Sequence, residues 1–235
     1  MNENAQGKES LEMVRRPLKF RRFSAVELLI ALALLFFLFP FVEDVKGGDL
    51  IVSLLLSLVL LSGVLAVAHR KGVLLTALVL AIPAIAGRWI NHFWPDVVRP
   101  AVFLTAALLL TAFVVVNLLR FVLRAPSVNV EVLCASISAY LMLGLMWTMA
   151  YWLVDQLTPG AFSFNTNAGK QSMNGFNAFY FSFITLSTVG YGDITPVSRI
   201  ARWLAAMEAM TGLLYVAVLI ARLVALYSIP KSDES

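Results

Sequence analysis

The chain has 235 residues, 60% of them hydrophobic and 14% charged, with a net charge of +4 and a mean hydropathy of +0.84. The apolar residues come in long blocks, which excludes an ordinary soluble domain and marks an integral membrane protein. The positive charge flanks those blocks and accompanies no nucleic-acid motif, so no nucleic-acid partner is expected, and the single cysteine, Cys134, can form no intrachain disulfide.

Residues 1–12 are polar and read as disordered. Residues 13–23 interleave basic and apolar side chains; they suit either an interfacial segment on anionic membrane lipids or a plain positively charged flank. The first apolar segment, about residues 25–42, has the basic start and apolar centre of a signal peptide. Its end, Phe41-Val42-Glu43-Asp44, lacks a small-residue cleavage site, so it reads as an uncleaved span.

Further apolar segments cover about residues 50–68, 73–90, 101–122, 131–154 and 199–227. A span needs roughly 20 apolar residues, which makes 73–90, interrupted by Pro83, the marginal one. Trp89 and Trp94 beside it suit a membrane interface. His69 and His92 fall in predicted loops and read as solvated residues rather than metal ligands. The fourth segment carries no charge between Arg99 and Arg120. Ala125-Pro126-Ser127 then marks a boundary, because proline disfavours helix in the residue before it.

Residues 177–187 are apolar but too short to cross, and read as a re-entrant helix. The stretch that follows, Thr188-Val189-Gly190-Tyr191-Gly192-Asp193, makes a poor strand and no helix. Its glycines reach backbone angles that L-residues avoid, as a backbone with its carbonyls turned the same way requires. Several such loops around an axis would stack rings of oxygens able to replace the hydration shell of potassium.

Lysine and arginine set the orientation. Twelve (Lys8, Arg15, Arg16, Lys19, Arg21, Arg22, Arg70, Lys71, Arg120, Arg124, Arg222 and Lys231) fall on one side, and six (Lys46, Arg88, Arg99, Lys170, Arg199 and Arg202) on the other. The majority predicts that both termini are cytoplasmic and that Asp193 lies outside, in a membrane expected to be a bacterial-type plasma membrane.

Residues 176–196, Phe-Asn-Ala-Phe-Tyr-Phe-Ser-Phe-Ile-Thr-Leu-Ser-Thr-Val-Gly-Tyr-Gly-Asp-Ile-Thr-Pro, resemble the pore helix and selectivity filter of the potassium channel family. The match is unbroken from Thr188 to Asp193. The resemblance implies a homotetramer whose filter is Thr188, Val189, Gly190, Tyr191 and Gly192. Potassium would be held by the Thr188 hydroxyl and by the carbonyls of Thr188, Val189, Gly190 and Tyr191. Val189 and Tyr191 would then point outward and pack against pore helices. No cofactor is implied beyond the permeant ion.

The same resemblance places filter support at Tyr180, eight residues before Thr188, where many members carry tryptophan. Its hydroxyl could restrain Asp193, or Tyr180 could merely pack while Asp193 is solvated. Ile184 stands where some bacterial members carry a second supporting glutamate, so that anchor is absent. Gly212 falls at the family's hinge offset and serves as a hinge or as room for close helix packing. Leu213, Val216, Ile220 and Val224 follow at helical spacing and would line the cavity. Glu208 is a carboxylate inside a span: a buried polar or proton site, for which Thr185 or Ser182 is a partner behind the filter.

The expected fold is an all-α membrane protein of six transmembrane helices plus a re-entrant pore helix and filter loop. Its parts are a cytoplasmic arm (1–23), a four-span bundle (24–124), a pore module (125–228) and a cytoplasmic tail (229–235), a tail too short for a ligand-binding domain. The expected function is a potassium-selective channel that is not classically voltage-gated. A weakly selective cation pore and a non-conducting membrane receptor or regulatory subunit are the alternatives. No nucleophile–base set, metal-ligand spacing or phosphate loop suggests an enzyme.

Overall fold

The computed structural model describes residues 24–42, 45–68, 71–94, 97, 99–165, 172, 173 and 175–227. The expected arm 1–23, the tail 229–235 and His69 lie outside the described residues. Among the described residues there are six long helices: α1 Ser24–Val42, α2 Gly48–Val67, α3 Lys71–Phe93, α4 Pro100–Arg124, α5 Val130–Leu157 and, after the short α6 Gly175–Leu186, α7 Arg199–Tyr227. All but α6 are long and apolar enough to cross a membrane. The protein is an all-α membrane protein.

Local chemistry accounts for the helix ends. Pro100 opens α4, where a missing N–H costs nothing. The Asn129 side chain caps α5 by accepting the Val132 N–H at 2.9 Å. Gly47, at φ 87°, makes the left-handed turn between α1 and α2. Polar side chains inside the apolar helices are satisfied by their own backbone: Ser57 donates to Ser53 O, Thr111 to Ala107 O and Thr148 to Gly144 O. These internal bonds let hydroxyls sit in a span without stranding a donor.

Two expectations are corrected here. Pro83 does not interrupt the third span, because α3 runs through it from Lys71 to Phe93. Only the Val79 carbonyl loses its i+4 donor, a loss that helices inside membranes tolerate. His92 is not a loop residue. It lies in the last turn of α3, with Nδ1 2.6 Å from Asp49 Oδ2. Arg88 of the same helix ion-pairs with Asp49 and donates to Ser53 Oγ at 3.0 Å.

α5 is the spine. It packs on α4, α1, α6 and α7, and the main core joins Leu28, Leu32 and Leu35 of α1 to Leu110 and Leu118 of α4 and Met142 of α5. Gly87 lets α3 approach α4 closely, since a β-carbon there would lie 2.6 Å from Phe103 Cβ. α7 differs from the rest. Within this chain 11% of its spanning stretch is buried, against 61% for α5, so most of its apolar surface faces away from its own fold.

A small sheet adds to the helical expectation. Phe162–Phe164 (β1) pairs antiparallel with Ile194–Pro196 (β2), Ser163 opposite Thr195. The Ala161 carbonyl also accepts from the N–H groups of Val197 and Ser198. The loop after α5 is thereby fastened to the chain leaving residue 193.

Candidate functional site

The site begins at the C-terminus of α6. Thr188 N–H donates to the Thr185 carbonyl at 2.9 Å, and the N–H groups of Val189 and Gly190 both donate to the Ile184 carbonyl, at 2.9 and 3.1 Å. These bonds satisfy the helix's last carbonyls and turn the loop's donors back toward it. Thr185 therefore supports the loop through its backbone. Among the described residues, no backbone donor reaches the carbonyls of Thr188, Val189, Gly190 or Tyr191.

The loop alternates in hand. Thr188, Gly190 and Gly192 have φ of 59°, 54° and 78°, while Val189 and Tyr191 between them do not enter the positive region. Alternating hand turns successive carbonyls toward one side. Gly190 and Gly192 adopt it without penalty. Thr188 does not, and among the described residues it is the one non-glycine with positive φ. Nothing in the residue type pointed to this threonine sharing the glycines' conformation.

In the single chain Val189 and Tyr191, expected to pack against pore helices, are largely exposed. They are 54% and 72% exposed. Leu213, Val216, Ile220 and Val224 of α7 are likewise exposed, at positions that share one helical face.

Tyr180 faces Asp193. Burial, then the hydrogen bond and charge of that carboxylate, push its phenol up to about 12. Asp193 Oδ1 is buried and accepts no hydrogen bond.

Behind the loop, Glu208 is fully buried. Ser182 of α6 donates to its Oε1 at 2.6 Å, and the Tyr151 hydroxyl of α5 donates to Oε2. Of the two partners weighed for Glu208, the structure selects Ser182 over Thr185. Tyr151 escaped the sequence reading because it lies 57 residues away along the chain. Ser182 Oγ is also 2.8 Å from the Gly144 carbonyl of α5.

Gly212 sits against the end of α6, where a β-carbon would lie 2.1 Å from the Leu186 oxygen. That contact supplies a packing reason for the glycine. Gly144 plays a matching part on α5, where a β-carbon would fall 2.2 Å from the Phe183 ring. Its place in a long apolar run was the one available signal. α1 reaches the same helix through aromatic rings: Phe36 packs edge-on against Phe179 and Phe183 with centroids 4.8 and 4.5 Å apart, and Phe39 against Phe179 at 5.2 Å. α6 is thus gripped on three sides, by α1, α5 and α7, while its C-terminal loop stays open.

The sequence pattern described as "Ion channel" matches residues 139–228, which run from α5 through the loop to α7. Over 87 residues the chain is 32% identical to Protein LctB of Bacillus caldotenax, a match covering 36% of this chain and 64% of that one. It is 30% identical over 83 residues to Inward rectifier potassium channel Kirbac3.1 of Paramagnetospirillum magnetotacticum, covering 34% and 24% of the two chains. It is 43% identical over 57 residues to Two-pore potassium channel 4 of Arabidopsis thaliana, covering 24% and 20%. The chain spans less than two thirds of the length of each of these relatives.

Proposed function

From the ion-channel pattern over residues 139–228 and the likeness to two potassium channels, we propose that this protein is a potassium-selective channel that conducts K+ passively through a homotetrameric pore. The observation that carries the reading is the run of carbonyls from Thr188 to Tyr191. They are left without backbone donors and aligned by residues alternating in hand. Such oxygens can take the place of an ion's hydration water. The Thr188 hydroxyl would complete the innermost site.

Assembly follows from what one chain leaves unfinished. A single loop supplies one wall of a pore. Val189 and Tyr191 are exposed beside it, and α7 turns most of its apolar surface away from its own fold. Copies around an axis would cover those side chains and bring the loops together. Leu213, Val216, Ile220 and Val224 would then line the cavity, and Gly212 would mark the level of the filter's inner end.

In this reading residues 24–124 form a bundle attached to a pore module at 125–228. The excess of lysine and arginine on one side supports both termini lying on the cytoplasmic side of a bacterial-type plasma membrane. The chain works without an enzymatic step, and K+ is its permeant ligand. The bundle lacks charges inside α4 and does not serve as a classical voltage sensor.

The test is flux. Purified protein in liposomes is loaded with K+ and the efflux followed through a proton-coupled dye, with Na+ as the comparison. K+ efflux well above Na+ efflux supports the reading. Equal efflux indicates a weakly selective cation pore, and none indicates a non-conducting membrane protein; either overturns it.

A further inference from the structure

Glu208 stands out because burying a carboxylate is costly and this one has no cation beside it. Among the described residues its hydrogen-bond donors are the Ser182 and Tyr151 hydroxyls, and no lysine, arginine or histidine forms an ion pair with it. An apolar side chain of the same volume would fill the space without the desolvation cost, and such replacements are often neutral or stabilising. Stability alone is therefore a weak reason for a glutamate here. What the carboxylate supplies and an apolar group cannot is direction: two oxygens, each fixed on a hydroxyl from a different helix.

The position of those bonds matters. α7 meets α6 at two points one turn apart, Glu208 on Ser182 and Gly212 on the Leu186 carbonyl. Between them on α6 lie Ile184 and Thr185, whose carbonyls hold the N–H groups of Val189, Gly190 and Thr188. Any rotation of α6 about its axis swings those two carbonyls, and with them the filter backbone. Steric contact at Gly212 fixes the distance between the helices but not that rotation. The Glu208–Ser182 bond fixes it, and Ser182 Oγ also contacts Gly144 O of α5.

We propose that Glu208 is a positioning residue that locks the rotation of the pore helix and thereby couples the inner helix to the selectivity filter. The proposal rests on the channel reading above and adds a residue to it. Movement of α7 would reach the filter through the Glu208–Ser182 bond, with Tyr151 tying the carboxylate to α5.

The experiment compares wild type with Glu208→Leu, Ser182→Ala, Tyr151→Phe and Glu208→Gln in planar bilayers. Inactivation rate and the K+/Na+ reversal potential are read beside oligomer stability in detergent. Removing a bond should speed filter inactivation about tenfold or lower K+ preference by as much, the effect of losing one hydrogen bond to a carboxylate. Oligomer stability should stay at the wild-type level or rise in Glu208→Leu, whereas Ser182→Ala and Tyr151→Phe, which each leave a buried carboxylate oxygen without its donor, should lower it. Gln keeps one acceptor and gains a donor that a hydroxyl oxygen can accept, so Glu208→Gln should restore much of the wild-type behaviour. If Glu208→Leu does not assemble, Ser182→Ala and Tyr151→Phe carry the test, because each removes a single hydroxyl. A conducting wild type with variants unchanged in inactivation and selectivity overturns the coupling while leaving the channel reading intact. A wild type that carries no K+ current overturns the channel reading and the coupling together.

Discussion

The α-carbon of Gly212 faces the backbone carbonyl of Leu186 so closely that a β-carbon would lie 2.1 Å from the oxygen. α7 and the end of α6 touch backbone to backbone, and this contact sets how near α7 can stand to the loop that follows α6.

Gly212→Ala should therefore destabilise the protein although alanine is the better helix former. The propensity gain is about 1 kcal/mol. The overlap is with backbone, which cannot rotate away, and overpacking of this kind costs about 1–3 kcal/mol. The net expectation is a lower thermal midpoint in detergent, with fewer conducting channels. A glycine kept for flexibility alone would give the opposite result, since alanine would then raise the midpoint.

The glycines of the loop after α6, Gly190 and Gly192, predict a different signature. A β-carbon on Gly190 or Gly192 meets no atom of this chain within 4 Å, so any penalty comes from the backbone, at φ of 54° and 78°. Holding an L-residue in that region costs about 1–2 kcal/mol at each position. Gly190→Ala should leave insertion and helix content unchanged and reduce K+ preference over Na+. Bi-ionic reversal potentials measure it. A wild-type reversal potential already near zero would show that the carbonyls do not select.

How much of this was legible depended on the range of the interaction. The six spans could be read because each is a continuous apolar block of membrane length, and the loop because its glycines act on their own backbone. What escaped depends on chain segments far apart meeting in space. Tyr151 reaches Glu208, Phe36 of α1 packs on Phe183, and β1 pairs with β2 only once the fold has brought them together. Pro83 misled because an apolar environment favours keeping backbone bonds inside the helix, so one lost donor did not end α3. Val189 and Tyr191 were expected to pack on pore helices, and in one chain they stand exposed.

Tyr180 and Asp193 should behave as a coupled pair. The phenol is pushed up to about 12 by burial and by the hydrogen bond and charge of the Asp193 carboxylate, whose Oδ1 is buried without a partner. Tyr180→Phe removes the hydroxyl and little volume; Asp193→Asn removes the charge and keeps the shape. Each should speed inactivation, and the double variant should add little to either single change, leaving a coupling of about 1 kcal/mol or more in the cycle. Purely additive effects would show that the two side chains restrain the filter separately.

Voltage should act on this protein weakly. Carrying one elementary charge across the membrane field is worth about 2.3 kcal/mol per 100 mV, so steep gating needs several charges per subunit that move. α4 has none between Arg99 and Arg120. The arginine inside α3, Arg88, is held in place. It is ion-paired with Asp49, bonded to Ser53 Oγ at 3.0 Å, and set 5.8 Å from the centre of the Trp152 ring on α5. A charge fastened at three points to two other helices is a brace, not a gating charge. Conductance–voltage curves in symmetric K+ should therefore be shallow and keep their slope in Arg120→Gln and Arg124→Gln. Arg88→Gln should lower stability by loosening α3 from α2 and α5, again without changing the slope. A steep sigmoid that shifts along the voltage axis when Arg120 or Arg124 is neutralised would show that the first four helices sense voltage after all.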